Sequence, residues 1–169
     1  MEDKTKKLWN FDFKKESIEY PEKIARKFCN VLGKKTNDNV FIKVVKYNKS
    51  ISSMDMGIAN SVSAANTIFT KLNNVQGYLG ESDYNSTYTY ELYLGSSKNK
   101  DYKYRFCFIE YGINGFPVDI AMDQNISSEL NLKNYIVRCN NKEEFENLLI
   151  SILNSNCIVE VIQKLINIS

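Results

Sequence analysis

Histidine is absent from this sequence. Its absence removes the commonest general base at neutral pH and the commonest zinc ligand, and excludes serine triads and cysteine–histidine dyads in their usual forms. Proline and glycine are scarce, at 2 and 7 residues. No linker, internal repeat or low-complexity tract interrupts the chain, and it carries no G-x-G-x-x-G, G-x-x-x-x-G-K-[ST] or G-x-S-x-G motif. Cys29, Cys107, Cys139 and Cys157 are widely spaced, without a C-x-x-C pair, and each sits in an apolar stretch. They read as buried, reduced thiols rather than a disulfide frame or a metal set. The N-terminus has no apolar signal-like core, and no segment approaches the roughly 18 uninterrupted apolar residues a membrane span needs. The expectation is therefore a cytoplasmic protein.

What is present is one domain's worth of chain. A length of 169 residues suffices to bury roughly 70% of the unfolded surface in a single core. We divide it into an N-terminal arm, 1–17, and one domain, 18–169. Abundant Asn, Lys, Ile and Tyr suggest an AT-rich coding sequence, such as that of a low-GC bacterium or one of its mobile elements. Charge is lopsided: residues 1–49 hold 13 Lys or Arg against 7 Asp or Glu, a balance of +6, and the rest hold 9 against 13, a balance of −4. That asymmetry suits steering toward a polyanion or an acidic patch, although the lysines are interleaved with glutamates, as on ordinary solvated faces.

Trp9, Phe11 and Phe13 alternate with polar residues in the arm, the signature of a short strand that completes the chain's own sheet or adds to a partner's. Residues 21–32 read as a helix with proline in its first turn and Gly33 as its left-handed terminator. Residues 40–47 are β-branched and read as a strand. Residues 54–73 repeat apolar side chains at helical spacing, with small residues around them; the lone Gly57 is too little for a phosphate loop. Strands are predicted at 84–94, 102–112, 116–122 and 135–139, with 123–134 as loop. Asn141 followed by Glu144 predicts a capping box and a helix, and a polar break at 154–156 precedes a last helix carrying Ile158, Val161, Ile162, Leu165 and Ile166 on one stripe. That stripe serves either the core or a homodimer. The fold class is α+β: a mainly antiparallel, twisted sheet of five or six strands with helices from both ends packed on it.

Asn114-Gly115 predicts a two-residue hairpin that places Glu110 opposite Asp119. Opposed carboxylates require compensation, from a Lys or Arg, a divalent ion or a raised pKa. Pairing Leu94 with Tyr102 would set Glu91 against Arg105. The same register gathers Tyr88, Tyr90, Leu92, Tyr102, Tyr104, Phe106 and Phe108 on the face carrying Glu110 and Asp119. That aromatic floor could stack bases or sugars, or could be core beneath a helix.

These readings favour a non-enzymatic intracellular protein that needs no cofactor and docks on a protein partner, most concretely an inhibitor or immunity-type protein blocking a toxin, nuclease or defence component. Its candidate binding residues are Trp9, Phe11, Phe13, Tyr88, Tyr90, Tyr102 and Tyr104. One alternative is a nucleic-acid binder using the basic first third and the sheet aromatics. The other is a carboxylate-dependent metal hydrolase or nuclease, with Glu110, Asp119 and Asp123 as ligands.

Overall fold

Alternating burial along the strands builds the core. The computed structural model describes residues 18–51 and 87–168; the expected aromatic arm with Trp9, Phe11 and Phe13, and the expected helix at 54–73, lie outside them. Five antiparallel strands run in chain order, β1 (Val40–Tyr47), β2 (Tyr88–Ser96), β3 (Lys103–Tyr111), β4 (Val118–Met122) and β5 (Ile136–Cys139), each paired with its predecessor. Val40, Ile42 and Val44, Leu92 and Leu94, and Val118, Ile120 and Met122 alternate inward and are buried, as period-two side chains on a sheet face packed on a core must be.

Four helices are described: α1 (Pro21–Lys35), α2 (Gln124–Glu129), α3 (Lys142–Leu153) and α4 (Asn156–Asn167). Helix α1 brings Ile24, Ala25 and Cys29 onto the sheet, and α3 and α4 add Phe145, Leu149, Ile152, Ile158 and Leu165, all in one cluster with the inward strand residues. The fold is thus α+β, as the periodicities indicated. In the terminal stripe, Ile158 and Leu165 are buried and Val161 and Ile162 are packed on the core, while Ile166 is exposed. No single helix among the described residues is long and apolar enough to cross a membrane.

Local chemistry sets the boundaries, and several differ from expectation. Helix α1 does not end at Gly33, which lies inside it. The backbone N–H of Thr36 closes the helix on Leu32 O and Gly33 O, at 3.0 and 3.2 Å. Asn37 and Asp38 then take the left-handed conformation, at φ 51° and 57°, which their short polar side chains tolerate. A Cβ on Gly33 would stand 2.8 Å from Asp38 Oδ1, so glycine serves there to admit Asp38. The expected loop at 123–134 contains α2, whose N-terminus is capped by the Asp123 side chain accepting from Asn125 N–H at 2.8 Å. The cap of α3 forms with a shifted return bond: Asn141 Oδ1 accepts from Glu144 N–H at 3.0 Å, and Glu144 reaches back to the N–H of Asn140, one residue before the N-cap, at 2.8 Å.

The hairpin register holds, but its turn differs. Tyr111 faces Val118 and Glu110 faces Asp119, yet six residues connect the strands. Gly115 N–H closes on Gly112 O at 2.9 Å, so Ile113 and Asn114 occupy the centre of the turn. Only Gly115 there has positive φ, 81°. Between β2 and β3 the ladder shifts: Tyr93 faces Arg105 while Leu92 faces Cys107, so Phe106 has no opposite number. This β-bulge replaces the expected pairings of Leu94 with Tyr102 and Glu91 with Arg105; Leu94 faces Tyr104 and Glu91 faces Phe108.

Gly115→Ala is expected to destabilise the chain by about 1 kcal/mol or more, since it forces a Cβ into left-handed backbone at 3.4 Å from the Tyr20 ring. Asn114→Asp should be nearly neutral. Urea unfolding of both variants checks the turn, and equal losses would contradict it.

Candidate functional site

The outward face of the sheet carries the polar side chains. Glu110 on β3 and Asp119 on β4 stand opposite each other, and each carboxylate is separately satisfied. Arg138 on β5 lies opposite Asp119 and grips it with two bonds, Nε to Oδ1 at 2.8 Å and the terminal nitrogen to Oδ2 at 3.0 Å. Glu110 Oε2 accepts from the Thr89 hydroxyl at 2.8 Å and from Ile51 N–H at 2.7 Å. Compensation for the opposed pair therefore comes from an arginine and from two neutral donors. These groups line a cleft of about 800 Å³ whose rim includes Tyr47, Lys49 and the turn residue Ile113.

A second carboxylate is held more tightly. Glu91 is 5% exposed and accepts from Lys103 and from Arg105 Nε, the latter at 2.6 Å. The ion pair with Arg105 expected from the sequence thus forms, but diagonally, across the bulge. Burial pushes the Glu91 carboxyl up, and the hydrogen bonds and charges of Lys103 and Arg105 outweigh it, so the group titrates below its ordinary 4.5. Arg105 lies 5.4 Å from the ring centroids of both Tyr47 and Phe108, and Lys103 lies 4.3 Å from that of Tyr93. The cations are thus fixed by rings as well as by the carboxylate.

The aromatic floor and the carboxylates lie on opposite faces, contrary to the sequence expectation. Tyr90 and Tyr104 turn toward the helices and pack against the core; Tyr102 packs there from the turn before β3. Tyr88, at the strand end, is 37% exposed. Phe108 and Glu110 share the outward face. The sequence did not single out Tyr111, which forms the centre of a tyrosine cluster, its ring 6.0, 5.7 and 6.1 Å from those of Tyr20, Tyr88 and Tyr90. Its hydroxyl donates to Glu22 on α1; burial and then that carboxylate raise its pKa. Burial and Asp123 push Tyr104 up to about 12.

Asp123 is not brought to the Glu110–Asp119 pair. It follows β4, four residues and about 13 Å of extended chain beyond Asp119, where it caps α2 and accepts from the Tyr104 hydroxyl at 3.1 Å. Among the described residues no three Asp, Glu, Cys or His side chains converge as a metal-binding group. The cysteines are free thiols, three of them buried. Burial pushes Cys29 up to about 12 and Cys139 up to about 11, so at neutral pH both are protonated packing groups rather than nucleophiles.

Because Glu91 is depressed in the folded chain, the unfolded chain takes up its proton first on acidification. The stability it contributes is complete above the ordinary value of 4.5 and is lost as the pH falls through the lower folded value. Glu91→Gln should lower stability at neutral pH by about 1–2 kcal/mol and flatten the loss between neutral and acid pH. Chemical denaturation at several pH values checks this, and parallel acid profiles would contradict it.

Compared with known proteins, the chain matches no protein-family model, no curated protein and no solved structure, so a functional reading stands on the chemistry of these surfaces alone.

Proposed function

We propose that this chain is a non-enzymatic binding protein that acts by occluding a protein partner, in the manner of an inhibitor or immunity protein against a toxin, nuclease or defence component. The supporting observation is that five carboxylates among the described residues are committed to internal partners. Glu91, Glu110, Asp119 and Asp123 each bind a fixed internal partner. Glu129 likewise holds the N–H groups of Asn156 and Cys157 at the start of α4, at 2.6 and 3.2 Å. General acid–base work requires a carboxyl whose proton is exchanged with a substrate, whereas these groups fix strands and helix ends.

The polar cleft supplies a recognition surface. Its floor is the Asp119–Arg138 and Glu110–Thr89 pairs, and Ile113, 58% exposed, stands on its rim. A concave polar surface beside an exposed apolar tip suits a protein loop, whose apolar anchor packs on the tip while its polar groups meet the floor.

The test is capture from the native cell with the full chain. We expect a retained protein that resists nuclease treatment and persists at about 0.3 M salt, where phosphate-dominated binding is strongly weakened. Ile113→Asp should reduce capture by about tenfold without changing the melting temperature. Retention of nucleic acid in place of protein would overturn the reading. So would a divalent ion that raises the melting temperature of the parent but not of a Glu110→Gln, Asp119→Asn double variant.

A further inference from the structure

Strand β1 is an edge of the sheet, and the hydrogen-bond phase of its ladder shows which backbone groups the edge presents. In an antiparallel pair, residues alternate between those that exchange both bonds with the partner strand and those that point away from it. Ser97 N–H donates to Asn39 O at 3.0 Å. Continuing that phase through the register Phe41↔Gly95, Lys43↔Tyr93 and Val45↔Glu91, the odd-numbered residues of β1 bond β2. Ile42, Val44 and Lys46 therefore direct N–H and C=O away from the sheet. Val40 belongs to the same set, but the Thr36 hydroxyl engages both its groups, accepting from N–H at 3.2 Å and donating to O at 2.8 Å. Among the described residues no strand pairs with this edge.

The edge opens onto a groove. A space of about 310 Å³ lies between β1 residues Ile42, Lys43, Val44 and Val45 and the flank of α1 formed by Arg26, Cys29 and Asn30. Arg26 and Asn30, one helical turn apart, are both exposed, as are Lys43, Val45 and Lys46. Strand backbone along one side and a helix along the other is the geometry into which an extended peptide adds as a further strand. We propose that the edge of β1, unpaired among the described residues, is the docking site for an extended acidic segment of a protein partner.

Charge selects that occupant. Arg26 and Lys43 line the groove, and among the described residues no carboxylate does; Lys46, further along β1, is exposed. Glu91, opposite Val45, is already held by Lys103 and Arg105. A second copy of the chain would bring two sets of Arg26, Lys43 and Lys46 to one seam, and opposed like charges disfavour strand pairing. In an added strand, side chains beside Ile42 and Val44 face α1 and meet Arg26 and Asn30; those beside Lys43 and Val45 face outward. The complementary segment is therefore strand-forming, acidic on both faces, and apolar only beside Val45.

This inference rests on the reading of the chain as a binding protein and can fail separately from it. The probe is a peptide of roughly nine residues, long enough to span such a strand, with glutamates on both faces, threonines between them and one valine placed to lie beside Val45, and a counterpart carrying lysine in place of every glutamate. The glutamate peptide should bind about tenfold tighter than the lysine one, and Lys43→Glu should erase that preference. In the free chain the amides of Ile42 and Val44 should exchange hydrogen faster than those of Phe41 and Lys43, then gain protection with the peptide. Methylating alternate peptide nitrogens should abolish binding in one phase only, with the protein unaltered. Equal affinity for both peptides, or slow exchange at Ile42 and Val44 in the free chain, would overturn the proposal. Undiminished capture of a partner by an Arg26→Glu, Lys43→Glu variant would overturn the edge while leaving the binding reading in place.

Discussion

The residue without an opposite number between β2 and β3 decides which side chains reach the core. Tyr104 sits opposite Leu94, a fully buried residue, and so shares the inward face. A continuous strand would carry Phe106, Phe108 and Glu110 inward in turn. The extra residue at Phe106 reverses the parity, so that Cys107, Ile109 and Tyr111 turn inward, at 1%, 0% and 4% exposure. Without it a carboxylate would enter beside Val118 and Ile120, and an unpaired buried charge costs more than any local packing returns. Reversing a strand's phase without breaking its pairing is what a β-bulge does.

The polar face depends on the same reversal. With Glu110 outward, it meets Thr89 and the Ile51 amide, and Asp119 beside it meets Arg138. Just before the bulge, Lys103 and Arg105 remain on the outward face and reach Glu91 on β2. The clamp contributes because Glu91 is nearly buried while both cations stay about 40% exposed. The cations keep part of their hydration, and the carboxylate exchanges its water for charged donors. The Asp119–Arg138 pair, with Arg138 63% exposed, contributes mainly orientation, as exposed pairs do.

Period and capping were legible in the sequence, whereas phase across a bulge was not. The cap at Asn141 and Glu144 could be read because one side chain and one amide three residues on define it. The Glu110–Asp119 pairing survived a mistaken turn because lengthening the loop equally at both ends preserves the register. Glu91 met Arg105 despite a mistaken register because long charged side chains reach diagonal neighbours. The bulge has no local signature in YRFCF, so the aromatic floor was assigned to the wrong face. Arg138 escaped notice because α2 and its flanks separate β5 from β4 and leave no short turn to fix the register. The cue for α2 is Asp123 itself, a capping residue whose carboxylate reads equally as a metal ligand. Gly33 was misassigned because a terminating glycine and one that admits a side chain look alike in sequence.

The two edges of the sheet are protected differently, and the difference is physical. Strand β5 has only four residues, and the chain leaves it at Asn140, whose N–H is taken by Glu144 as α3 begins. Little backbone remains there for another strand to pair with. Strand β1 has eight residues, Val45 on it is 39% exposed, and its protection is Lys43 and Lys46. Lysine on an edge repels another copy of itself without occupying the backbone groups that pair. A short edge closes to every strand alike, whereas a charged one closes only to strands of its own sign. Among the described residues, the asymmetry makes β1 the edge better suited to selective addition.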